Sequence, residues 1–102
     1  MSDIQLDVTW DPAKAQSNVA KHGVTFVQAA TVLRDALTLT TFDAVHSQLE
    51  ERWFTLGMSV EGKLLAVFHT YAHTTSIHVQ VRIISARSAT KRERQQYENE
   101  PQ

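Results

Sequence analysis

Between Val81 and Arg94, four arginines and one lysine stand against a single glutamate, a net of four positive charges in a chain whose formal charge is −1. A β-branched run, Val81-Arg82-Ile83-Ile84, leads there into a helix whose first turn holds Lys91 and Arg92. Charge this uneven marks a face that binds an anion such as phosphate. Ile77, Val79, Val81 and Ile83 alternate with His78, Gln80 and Arg82, so the apolar set should meet the core and Arg82 should emerge on the opposite face. A guanidinium in that place can hold a phosphate through two parallel N–H bonds, which a lysine cannot do. The alternative is a solvated arginine on a sheet surface.

His69 closes the apolar stretch Leu64 to Phe68, where the polar pattern resumes. It is either a hydrogen-bonded structural histidine or a proton-transfer group bordering the groove. No carboxylate stands at a ligating distance in sequence from His69, His73 or His78, and the chain has no cysteine, so neither a metal site nor a cofactor is expected. Lys14, Asn18, Lys21 and His22 gather on one side of a first helix, as a second basic patch or as the ordinary lysines of a surface helix. The polar loop Asp43 to Glu51 reads as solvated chain.

The elements that must carry these groups follow from local patterns. Leu6, Val8 and Trp10 alternate with polar residues along a first strand, Gln5 to Trp10. Asp11-Pro12 can cap and start a helix that runs to His22 and ends at Gly23, while Thr25 and Gln28 have the spacing of a capping box for a second. Extended segments follow over Leu37 to Phe42, Arg52 to Val60, Lys63 to His73 and Ile77 to Ala86, with a tight turn at Glu61-Gly62 and a looser one at Thr74-Thr75-Ser76. Thr90 and Glu93 repeat the capping-box spacing at the start of a last helix that frays after Tyr97 towards Pro101. The order is βααββββα, an α+β domain with helices on one face of an antiparallel sheet and a groove on the other.

A chain of 102 residues suits one domain spanning residues 1–102, able to bury roughly two-thirds of its unfolded surface. The absence of cysteine, and of a basic flank followed by an apolar run at the N-terminus, points to a cytoplasmic protein without a membrane span. No helix-turn-helix spacing appears, which disfavours direct DNA reading.

Taken in order, Trp10-Asp11-Pro12-Ala13-Lys14, Asn18, Lys21-His22-Gly23-Val24, Phe26 with Ala29-Ala30, Glu51-Arg52, Arg82-Ile83-Ile84-Ser85-Ala86-Arg87, Glu93-Arg94 and Tyr97-Glu98 closely resemble the BrnT toxins over nearly the whole chain. The resemblance implies a RelE-like fold and a ribonuclease toxin of a type II toxin–antitoxin system that halts translation by cutting RNA. It also implies a BrnA-like ribbon-helix-helix antitoxin, two copies of each protein in the complex, and operator DNA bound through the antitoxin. On that reading Arg82 and Arg52 clamp the phosphate with Arg87 nearby, and His69 or His22 moves the proton. Lys14, Lys21, His22, Lys91 and Arg92 hold the RNA backbone, and the product ends in a 2′,3′-cyclic phosphate without help from a metal. Strict alternation puts Arg52 beside Phe54, Leu56 and Met58 on the presumed core face, so its strand end is expected to twist or bulge outward. The rival reading is a non-catalytic module of the same fold that acts as co-repressor in a DNA-binding complex.

Overall fold

Alternating apolar residues and capped helix starts carry the architecture. The computed structural model describes residues 4–73 and 75–99. Its elements are β1 (Gln5–Trp10), α1 (Pro12–His22), α2 (Phe26–Val32), β2 (Leu39–Phe42), a single 3-10 turn (Ala44–His46), β3 (Trp53–Met58), β4 (Leu64–His73), β5 (His78–Ser88) and α3 (Lys91–Asn99). This is the expected order, with strand ends displaced by one or two residues. Thr74 of the looser turn, the tail towards Pro101 and the first three residues lie outside the described residues.

Each helix starts where its sequence signal stands. The Asp11 carboxylate accepts from the Ala13 amide at 2.8 Å, with Pro12 at the first helical position. Gly23 closes α1 at φ +68°, a left-handed conformation that only glycine adopts without strain. Thr25 and Gln28 exchange both bonds of a capping box at α2, and Thr90 and Glu93 do so at α3.

The strands lie in the order β1-β5-β4-β3-β2. From β2 to β5 the sheet is an antiparallel meander, but β1 runs parallel to β5, pairing Leu6 with Val79 and Trp10 with Ile83. The expected antiparallel sheet is therefore corrected to a mixed one. No hairpin ties β1 to its neighbour, and an apolar alternation is the same in either strand direction, so the pattern of β1 alone carries no information about its sense.

Beneath α1 and α2, Val24, Phe26, Ala29 and Val32 pack on Leu65, Val67, Ile83 and Ala86, with Trp10 edge-on to Phe26 at 6.0 Å. Gly57 of β3 allows α2 to approach closely: a Cβ there would lie 2.7 Å from Val32 Cγ1 and 2.8 Å from Thr38 Cγ2. On the opposite face Leu56, Leu64 and Ala66 are buried at the end of the sheet where α3 packs against β3. The remainder of that face, around Arg82, stays open.

Candidate phosphate-binding site

Five positions separate Arg82 from Arg87, an odd interval that simple alternation would split between the two faces. β5 avoids this with a β-bulge. Phe68 pairs with Ser85 and His69 with Ile83, which leaves Ile84 without a partner on β4. Ile83 and Ala86 can thus both point into the core, while Arg82, Ser85 and Arg87 share the open face. Arg82 is flanked by Thr9 of β1 and Thr70 of β4, and the Arg87 guanidinium lies 5.5 Å from the centre of the Phe68 ring.

Beyond the bulge β1 has ended, and α1 takes its place at the β5 edge. Asn18 is buried and substitutes for a strand: its Nδ2 donates to the carbonyls of Ala86 (2.8 Å) and Val24 (2.9 Å), and its Oδ1 accepts from the Ala86 amide (3.1 Å) and from Ser85 Oγ (3.2 Å). This docking brings Lys14, Lys21 and His22 of α1 to a depression they share with Arg52, Ile84 and Ser85.

Arg52 ends the loop that joins β2 to β3. Trp53, Thr55 and Gly57 face the helices, so Phe54, Leu56, Met58 and Arg52 belong to the other side. The expectation that Arg52 needs a bulge to escape a core face is corrected: both faces of β3 are buried over Thr55, Leu56 and Gly57, and the face Arg52 shares with Phe54, Leu56 and Met58 is the one opposite α1 and α2. Arg52 Nε is buried and has no hydrogen-bond partner among the described residues. Arg82 Nη2 donates to Glu50 Oε1 at 2.5 Å. That bond holds the Glu50 carboxyl below the ordinary carboxylate range against a smaller opposing desolvation, and the charges of Arg82, Arg52 and Lys14 add lesser contributions in the same direction. Arg82, Arg52 and Lys14 therefore act on one carboxylate.

The loop between β2 and β3, expected to be plain solvated chain, also holds a close acid–histidine pair. His46 Nδ1 lies 2.8 Å from Asp43 Oδ2, the two brought together by the 3-10 turn. His46 and Arg52 line two adjoining depressions, one with Glu50 and the other with Phe68, Ile84 and Ser85. The available signal was the Asp-x-x-His spacing, which becomes a contact only if the loop turns helically.

Other expected site residues lie elsewhere or are engaged. His69 does not border the open face: it is wholly buried on the helix side, with Nε2 2.7 Å from Thr55 Oγ1 and its ring against Tyr71. Burial pushes its imidazole below the usual range, against a weaker opposing bond to the Thr70 carbonyl. Arg87 makes a two-pronged ion pair with Glu93, at 2.8 and 3.0 Å, and so ties β5 to the start of α3. Lys91 and Arg92 are exposed on the first turn of α3.

A comparison with curated proteins gave no match. Among solved structures, the chain is similar to the crystal structure of the Brucella abortus ribonuclease toxin BrnT, with 22% sequence identity and a TM-score of 0.58 over 85% of this chain and 100% of that one, a likeness that carries the fold. The family model described as the ribonuclease toxin BrnT of type II toxin–antitoxin systems matches residues 10–93. That span takes in α1, the loop with Asp43, His46 and Glu50, and the bulged β5 with both arginines, and the chain belongs to the BrnT family of ribonuclease toxins.

Proposed function

We propose that the protein cleaves RNA by attack of a 2′-hydroxyl on the adjacent phosphorus, with Arg52 and Arg82 gripping the scissile phosphate. RNA brings its own nucleophile, so the protein has to align it, move a proton and neutralise the charge that gathers on phosphorus. The observation that carries this reading is the buried Arg52 Nε, which has no acceptor among the described residues, beside the Arg82–Glu50 pair. A buried donor without a partner costs free energy, on the order of 1–3 kcal/mol, that an incoming phosphate oxygen would recover. Lys14, Lys21 and His22 line the same depression as Arg52 and offer a path for the neighbouring backbone phosphates. Arg87 supports the site by holding α3 and covering Phe68, and Lys91 and Arg92 extend the positive field.

In this reading the guanidinium groups supply the charge stabilisation and no metal ion is required. The cell-level consequence is inhibition of translation in the cytoplasm. The natural partner is a BrnA-like ribbon-helix-helix antitoxin whose acidic or apolar segment lies over the open face, two toxins with two antitoxins, with operator DNA held by the antitoxin pair. The test is incubation of purified, antitoxin-free protein with end-labelled RNA in excess chelator. Fragments ending in 2′,3′-cyclic phosphate and beginning with a 5′-hydroxyl are expected. Cleavage that chelator abolishes would overturn the mechanism, and intact RNA under all conditions would favour a co-repressor without catalysis.

A further inference from the structure

We propose that His46 is the residue that moves the proton in this reaction and that Asp43 positions it. The inference rests on the ribonuclease reading and adds to it the missing acid/base group. In the neutral imidazole, the 2.8 Å bond to Asp43 sets the proton on Nδ1 and leaves the Nε2 lone pair free. The Asp43 side chain is 12% exposed and that of His46 is 61% exposed, so the pair is anchored at the carboxylate and open at the imidazole. Backbone bonds fix its position relative to Arg52. The Asp43 amide donates to the Arg52 carbonyl at 2.9 Å, while Ser47 Oγ donates to the Asp43 carbonyl at 2.5 Å and accepts from the Arg52 amide at 2.9 Å. The neck of the loop is thereby closed, with His46 and Arg52 lining the same two depressions.

The other candidates fit less well. His69 is buried on the far face of the sheet. His22 borders the neighbouring depression, but no carboxylate orients it among the described residues. Glu50 lines one depression with His46, but it already accepts from Arg82, which weakens it as a base. The charged groups around His46 are thus Asp43, Glu50 and Arg52. In the reaction Nε2 takes the 2′-hydroxyl proton as the 2′-oxygen bonds to phosphorus. The bond from phosphorus to the 5′-oxygen breaks, its electron pair stays on that oxygen, and a water molecule protonates it. The imidazolium then neutralises the hydroxide left behind.

Single-turnover RNA cleavage by wild type, His46→Ala, His46→Gln, Asp43→Asn, His22→Ala and the double variant His46→Ala/Asp43→Asn tests the assignment. Both His46 variants are expected to slow cleavage by about 10²–10⁴-fold with unchanged melting temperature and RNA affinity. Imidazole in solution should restore part of the His46→Ala rate. Asp43→Asn should slow cleavage less, and the double variant should be no slower than His46→Ala alone, which a purely structural Asp43 would not produce. Wild-type speed in His46→Ala, or a loss found only in His22→Ala, overturns the proposal and leaves the ribonuclease reading intact. A loss that tracks a lowered melting temperature and ignores imidazole overturns it too. Failure of the wild type to cut any RNA overturns both.

Discussion

At the scale of single residues, two buried polar groups beside the β5 bulge, the Asn18 amide and Arg52 Nε, have opposite meanings. Asn18 has every bond its amide can reach satisfied, two donated and two accepted, and its role is to end the sheet where β1 stops. Asn18→Ala should leave the Ala86 amide and carbonyl without partners and lower stability by roughly 3 kcal/mol, measured by denaturant unfolding. Arg52 Nε has no partner among the described residues, and in the proposed function a phosphate oxygen supplies one. Glu50 competes for the same cations, so Glu50→Gln should tighten binding of a non-cleavable RNA analogue several-fold by releasing Arg82. Unchanged affinity in a fluorescence titration would argue that RNA does not reach Arg82. From sequence, Arg82 could be placed on the open face because its strand alternates cleanly. His69 could not be placed, since a hydroxyl partner such as Thr55, 14 positions away, leaves no local trace.

Among the elements, the bulge and the two helix dockings decide what the open face contains. Inserting one alanine between Phe68 and His69 would give Ile84 a partner, restore simple alternation along β5 and send Arg82 and Arg87 to opposite faces, an outcome readable as lost cleavage in a chain that melts at a lower temperature. Capping boxes at Thr25 and Thr90, the glycine stop at Gly23 and the meander were legible in the residues. The parallel pairing of β1 and the bulge were not, because each depends on neighbours distant in sequence. α3 is held at its start by Arg87–Glu93 and in its last turn by Tyr97 Oη donating to Asp35 Oδ2 at 2.5 Å. Desolvation acts to raise the Asp35 carboxyl, but the bonds from Tyr97 and from the amides of Met58 and Leu37 outweigh it and leave it below its usual range. Burial, together with the bond to Asp35, pushes the Tyr97 phenol from 10.0 up to about 12. A raised phenol stabilises the fold fully below its unfolded value and loses that contribution as pH climbs from about 10 to about 12, whereas the lowered Asp35 loses its contribution on the acid side. Tyr97→Phe should therefore flatten the alkaline fall of the melting temperature. An identical alkaline profile in that variant would show that the latch contributes nothing.

On the scale of the whole molecule, a formal charge of −1 is compatible with RNA binding because the cations are gathered around one face while Glu50 and Glu93 are each paired within it. Arg52 and Arg82 on the scissile phosphate, with Lys14 and Lys21 on its neighbours, amount to about three phosphates, which predicts that the logarithm of RNA affinity falls with the logarithm of salt at a slope of about −2. A slope near zero in a salt titration would contradict phosphate binding altogether. The fold supplies a mixed sheet, one helix docked by Asn18 and one closed loop, and the candidate site lies where the three meet. The most direct test is the single-turnover RNA cleavage rate of Arg52→Ala beside that of the wild type, with melting temperature recorded for both. A drop of about 10²–10³-fold in a variant that melts no lower than the wild type is predicted, since the buried Nε that is lost has no hydrogen-bond partner among the described residues. Cleavage at the wild-type rate by that variant would contradict the account.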